Sequence, residues 1–221
     1  MQHDSLIIQR PADGAKQLFL LFHGFGDDLT SMQPIGKALA SHFPHALIVS
    51  IAAPTKCENG QGGQWFSLQG INDANRLMRV TEAIPQFISK IREWQQQSGV
   101  SAAATALLGF SQGATLSLQA LASEPELAGR VVALAGRFAQ WADFLPTDSV
   151  IHLIHGAQDT LIPLQHVQTA LTELQAQGRD ITLDIADDIG HSVNQQMLDL
   201  MCQRLGSYIP QRYWQQAYQQ S

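Results

Sequence analysis

Cysteine is scarce in this chain. Cys57 and Cys202 are the only thiols in 221 residues, far apart, with no Cys-x-x-Cys and no histidine cluster at metal-ligand spacing beside them. That excludes a disulfide framework and argues against a structural zinc. Charge is scarce too, at 14% of residues, and it leans acidic: Lys+Arg 13 against Asp+Glu 19 gives a net charge of -6. A field of that sign repels phosphate backbones and anionic membrane surfaces, so nucleic acid is not an expected partner. No apolar run approaches the roughly 18 residues of a membrane helix, and Met1 to Asp4 do not open a basic-then-apolar leader. The expectation is a soluble cytoplasmic protein with no membrane span. Internal repeats, low-complexity tracts and an interdomain linker are also missing.

What the chain does have is apolar residues, 45% of the total, enough for one sizeable core. A single domain over 1–221 is expected, with 211–221 as a C-terminal tail. Short apolar runs alternate with amphipathic stretches, the pattern of parallel strands joined by crossover helices. Strands are predicted over Leu6–Gln9, Gln17–His23, Ala46–Ile51, Thr105–Gly109, Arg130–Ala135, Val150–His155 and Ile181–Ile185. Helices are predicted over Ser31–His42, Ala74–Gln97, Gln112–Ser123, Leu164–Gln177 and Val193–Tyr208. Pro85 lacks the N–H that would bond back to Thr81, so a kink or a break is expected there. Pro163 suits the first turn of the fourth helix and Gly178 its C-terminal cap. Residues 54–72 form a connection too long for a simple turn, and Tyr213, Trp214 and Tyr218 are expected to pack the tail onto the domain.

Gly109-Phe110-Ser111-Gln112-Gly113 lies between a predicted strand and a predicted helix. Small residues two positions either side let the backbone bend sharply and lift the Ser111 hydroxyl above the sheet. A serine hydroxyl attacks only when a base takes its proton and an acid holds that base in the right tautomer, and in this turn geometry the chain order is Ser, acid, His. His191, just beyond the last predicted strand, suits the base; His166, early on a helix, is more simply a solvated side chain. Asp159, in His155-Gly156-Ala157-Gln158-Asp159 after the preceding strand, suits the acid. Asp187 and Asp188 neighbour His191 but read as cap or surface residues, and Asp184 as part of a strand. The oxyanion donors would be the backbone N–H of Gln112 and that of Phe25, in the glycine-rich His23-Gly24-Phe25-Gly26-Asp27 loop. His23 and His155 read as structural. Gly60-Gln61-Gly62-Gly63 has no tight strand before it and no lysine after it, so it is a poor phosphate loop.

Together with Gln64-Trp65-Phe66-Ser67 and Gly190-His191, these motifs resemble the carboxylesterase and acyl-protein thioesterase family of α/β-hydrolases over nearly the whole chain. The resemblance implies an α/β-hydrolase fold with a mostly parallel sheet, helices on both faces and no separate lid domain. It also implies the triad Ser111, Asp159 and His191 and the oxyanion donors Phe25 and Gln112. Many members carry an aspartate where this chain has Ser67, and the tail beyond Pro210 falls outside the family core. The expected reaction is hydrolysis of a small-molecule ester through an acyl-enzyme, needing neither cofactor nor metal. A thioesterase or lysophospholipase would use the same triad, and a binding-only module would be expected to lack one of its members. With no lid, only Trp65, Phe66, Leu68 and Ile71 in the 54–72 connection remain to wall a substrate pocket.

Overall fold

The computed structural model describes residues 4–58, 60–140 and 148–213. In chain order the elements are β1 (Ser5–Gln9), β2 (Gln17–Phe22), α1 (Gln33–His42), β3 (Ala46–Ile51), β4 (Thr55–Lys56), β5 (Gly63–Gln64) and α2 (Asp73–Ser98). They continue with β6 (Thr105–Phe110), α3 (Gln112–Ser123), β7 (Arg130–Leu134), β8 (Val150–Gly156), α4 (Gln165–Ala176), β9 (Ile181–Ala186) and α5 (Gln195–Ser207).

Among the described residues, seven strands form one sheet in the order β1-β3-β2-β6-β7-β8-β9. Only β1 is antiparallel to its neighbour; β2, β3, β6, β7, β8 and β9 run parallel. The sheet is buried on both faces, which explains why its central strands read as unbroken apolar runs. Alternation still sorts them: Leu18, Leu20 and Phe22 of β2 join the core beneath α2, α3 and α4, while Phe19 and Leu21 join the core beneath α1 and α5. From β2 the chain first steps outward to β3 and later returns to β6 on β2's other side. The crevice at the carboxyl ends of β2 and β6 is thus a topological switch point, where open α/β sheets bind their ligands. The described residues contain no helix long and apolar enough to cross a membrane.

The sequence reading needs four local corrections. α2 runs as one helix through Pro85. Its apolar stripe, Val80 and Ile84 before the proline and Phe87, Ile91 and Trp94 after it, is buried on one face, and that shared burial outweighs the lost hydrogen bond. The helix begins earlier than expected because Asn72 and Asn75 form a reciprocal capping box. The 54–72 connection contains the two-stranded hairpin β4–β5. Pro163 stands just outside α4, before the cap residue Leu164, while Gly178 at φ +70 lies just beyond the helix as expected. Of the tail aromatics, Tyr213 is half exposed beneath the Arg212 guanidinium, 4.9 Å from its ring centre. Trp214 and Tyr218 lie outside the described residues. Asp180 clips the start of the tail, accepting hydrogen bonds from the Tyr208 hydroxyl, the Gln211 N–H and Arg212.

His152 of β8 is wholly buried against Thr182 and Tyr208, and burial drags its pKa from 6.5 to about 3. Between those values the unfolded chain holds a proton that the folded chain does not, so stability falls as pH falls. The loss should reach about 3 kcal/mol near pH 4. Urea titrations of the parent and of His152→Gln at neutral pH and near that acid pH should show the variant losing less.

Candidate active site

Ser111 sits between β6 and α3 with φ 51 and ψ -108, a conformation L-residues avoid. The flanking glycines are there for space. A Cβ on Gly109 would lie 2.3 Å from the Ala114 nitrogen, and one on Gly113 would lie 2.3 Å from the Phe22 carbonyl oxygen. The Ser111 N–H donates to the Leu134 carbonyl at the end of β7 (2.9 Å), so the turn is pinned to the neighbouring strand. β7 stops one residue earlier than its sequence suggests because Ala135 also has a positive φ, 48°, and Gly136 packs directly on Ala114.

The structure brings Ser111, His191 and Asp159 into one hydrogen-bonded line. His191 Nε2 lies 2.8 Å from Ser111 Oγ, and His191 Nδ1 lies 2.7 Å from Asp159 Oδ2. The Asp159 side chain is fully buried, and its other oxygen accepts the N–H groups of Leu161 (2.9 Å) and Ile162 (2.8 Å). With one oxygen held by two backbone donors, the other must face the imidazole. The loops that carry Asp159 and His191 touch backbone to backbone: the Gln158 N–H donates to the Ile189 carbonyl, and a Cβ on Gly156 would lie 2.4 Å from that same oxygen. Asp187 and Asp188 are exposed, and Asp184 makes a bidentate pair with Arg204 at 2.7 Å.

The loop after β2 is braced from three sides. His23 is buried, with Nδ1 donating to the Gly24 carbonyl (2.8 Å) and Nε2 accepting the Ala53 N–H (3.0 Å); burial holds its pKa down. The glycine-rich 60–63 tract supplies the second brace. Gly26 N–H donates to the Gly63 carbonyl and Gly63 N–H to the Asp27 carbonyl, and Gly62, at φ +62, comes so near that a Cβ would sit 2.1 Å from the Gly26 oxygen. Gly62→Ala should therefore push the Phe25 loop aside and, if the Phe25 N–H serves the oxyanion as expected from the sequence, lower kcat about tenfold, a donor being displaced rather than removed. Steady-state kinetics alongside an unchanged far-UV spectrum would check this.

Trp65 is the third brace. Its Nε1 donates to the His23 carbonyl (2.9 Å) and its ring packs edge-on against Phe22 and Phe87, so the indole belongs to the core. The Gln112 side chain accepts the Trp65 N–H (2.8 Å) and donates to the Phe66 carbonyl (2.6 Å), tying the 54–72 loop to the residue after Ser111. Phe66 is buried, while Leu68 and Ile71 are half-buried against the same core.

Three features escape the sequence. Phe110 packs against His191 with ring centres 5.3 Å apart. His155 donates to the Ile162 carbonyl (2.8 Å) with Nε2 3.3 Å from Asp159 Oδ2, so it bounds the acid from the far side. His166, expected in solvent, is half-buried with Nε2 2.7 Å from an Arg137 nitrogen; burial and that guanidinium hold its pKa down. The signal each would need is tertiary proximity.

The sequence pattern of the phospholipase/carboxylesterase family matches residues 3–208. The chain belongs to that family. It is 45% identical to esterase YpfH of Escherichia coli (strain K12) over 217 residues, 98% of this chain and 94% of that protein. It is 29% identical to acyl-protein thioesterase 1 of Kluyveromyces lactis over 183 residues, 75% of this chain and 79% of that one. Among solved structures, esterase PE8 superposes with a TM-score of 0.86 at 28% identity, covering 93% of this chain and 99% of the other. The chain has an α/β-hydrolase fold, and the 211–221 tail lies beyond the stretch that the family pattern matches.

Proposed function

We propose that this member of the phospholipase/carboxylesterase family is a serine esterase in which Ser111 is the nucleophile, His191 the base and Asp159 the acid. The observation that carries the reading is the unbroken line from Ser111 Oγ through both ring nitrogens of His191 to a buried carboxylate. Ser111 Oγ attacks the ester carbonyl carbon as its proton passes to His191 Nε2. The carbonyl oxygen becomes negative at the N-terminus of α3, where the backbone N–H of Gln112 and that of Phe25 are the proposed donors and the helix dipole adds to them. His191 then protonates the departing alkoxide and water enters in its place; the same histidine takes the water's proton as its oxygen bonds to the acyl carbon, and passes a proton to Ser111 Oγ as the acyl–Oγ bond breaks and the carboxylic acid leaves. Asp159 stays ionised and steadies the transient imidazolium. The free, buried state of Cys57 and Cys202 suits a reducing compartment, in keeping with the cytoplasm.

The pocket is proposed to be shallow, walled by the accessible edges of Phe66, Leu68 and Ile71, with Trp65 as its backing. Each buried methylene is worth about 0.8 kcal/mol, so a long acyl chain gains only where a continuous apolar groove receives it. Short to medium acyl esters should be turned over best. The acyl-protein thioesterase relative, with the phospholipase in the family's description, favours one other reading, thioester or lysophospholipid hydrolysis by the same residues. Measuring kcat/KM for nitrophenyl esters from acetate to palmitate decides between them: a maximum at short or medium length is expected, and a steady rise to palmitate would favour the second reading.

A further inference from the structure

Past the carboxyl end of β7, the strand that pins the Ser111 turn, lies a group of cations that the reaction above does not use. Arg137 follows Gly136 at the carboxyl end of β7, only three residues beyond the Leu134 carbonyl that holds Ser111. Its guanidinium donates to His166 Nε2 (2.7 Å) and to Asp73 Oδ1 (3.1 Å). Arg76 reaches toward the same Asp73 oxygen (3.8 Å), and its Nε is buried without a hydrogen-bond partner among the described residues. Arg79, one turn further along α2, donates to the carbonyl and hydroxyl oxygens of Ser67. Ser67 stands between Phe66 and Leu68, so the cations close the far end of the proposed acyl wall.

Two features show that this charge is not balanced from within. Arg76 lies in the first turn of α2, the positive end of the helix dipole, where a cation is disfavoured. Only 23% of the Arg76 side chain and 14% of the Arg137 side chain reach solvent, yet their shared counter-ion, Asp73, is 91% exposed and loses most of its strength to water. Glu58 accepts the Ser67 hydroxyl, and among the described residues it forms no ion pair with these arginines. A chain of net charge -6 thus keeps a mostly buried cationic cluster whose Arg137 lies three residues beyond the carbonyl that pins the Ser111 turn.

We propose that Arg76 and Arg137, flanked by Arg79 and His166, form an anion subsite, and that the preferred substrates are esters whose acyl chain ends in a carboxylate. The inference rests on the serine-esterase reading. The terminal carboxylate takes guanidinium N–H groups as charge-assisted hydrogen bonds, and the mostly buried setting screens them less than a surface pair. Arg137 is held by a neutral, accepting His166, which fixes the guanidinium without neutralising it.

The test compares nitrophenyl hydrogen glutarate with nitrophenyl valerate, equal in chain length and different in terminal charge. The parent is expected to favour the charged ester about tenfold or more in kcat/KM, through KM, with the preference shrinking as salt rises. Arg137→Gln and Arg76→Gln should collapse that ratio. Asp73→Asn, at an exposed position, should raise it, which a merely structural clamp would not do. Equal use of both esters by the parent, or a ratio unmoved in all three variants, overturns the subsite and leaves the esterase reading standing. Failure to cleave either ester overturns both.

Discussion

Ser111→Ala is expected to leave a folded protein whose ester hydrolysis has fallen by several orders of magnitude. Nucleophile and base act as a unit: without the Ser111 oxygen, His191 has no proton to take and no acyl-enzyme forms, so the residual rate reflects only binding and oxyanion donors. The fold should survive because, among the described residues, the Ser111 side chain bonds only to His191, while the turn itself is held by the backbone bond to Leu134 and the start of α3. A further variant tests the strained backbone. Ser111→Gly relaxes φ 51 and should be more stable than Ser111→Ala by about 1 kcal/mol, though equally inactive. Hydrolysis rates and urea midpoints of both variants check these expectations; substantial turnover by Ser111→Ala would remove the nucleophile from the account.

The second large effect is expected from Asp159→Asn, a loss of about ten-thousandfold in kcat. The geometry says why so small a change costs so much. The N–H groups of Leu161 and Ile162 both donate to Oδ1, so an amide must place its oxygen there and turn its NH2 toward His191. Facing a donor, His191 Nδ1 becomes an acceptor, the ring proton moves to Nε2, and Nε2 can no longer take the proton of Ser111. Asp187→Asn and Asp188→Asn, on the exposed loop, should stay within about twofold of the parent. The reverse result, with an Asp187 or Asp188 variant crippled and Asp159→Asn near normal, would move the acid elsewhere. Kinetics on the three purified variants decides it.

What the sequence exposed and what it hid follow from the range of the interactions. The Ser111 turn was legible because its demands are local: two glycines at fixed offsets, a buried strand before and a helix after. The strands showed as apolar runs because both faces of the sheet are covered, and Asp159 and His191 could be ordered because each follows a strand end. Pro85 misled because its penalty is local while the stripe from Val80 to Trp94 that offsets it is tertiary. The second positive φ, at Ala135, has no glycine to announce it and depends on Gly136 meeting Ala114. The glutamine in the nucleophile turn showed only a backbone donor, yet its side chain also bridges to residues some 47 positions away. His166 looked solvent-facing because its partner, Arg137, lies 29 residues earlier in the chain.

The central claim is that one serine becomes covalently acylated. Treating the protein with a fluorophosphonate and locating the adduct by peptide mass spectrometry tests it most directly, because the phosphorus centre reacts only where an activated hydroxyl and oxyanion donors converge. A single adduct is expected, on the peptide carrying Ser111, formed rapidly by the parent and far more slowly by His191→Ala. An adduct on a different serine, or none from a protein that still hydrolyses esters, would contradict it.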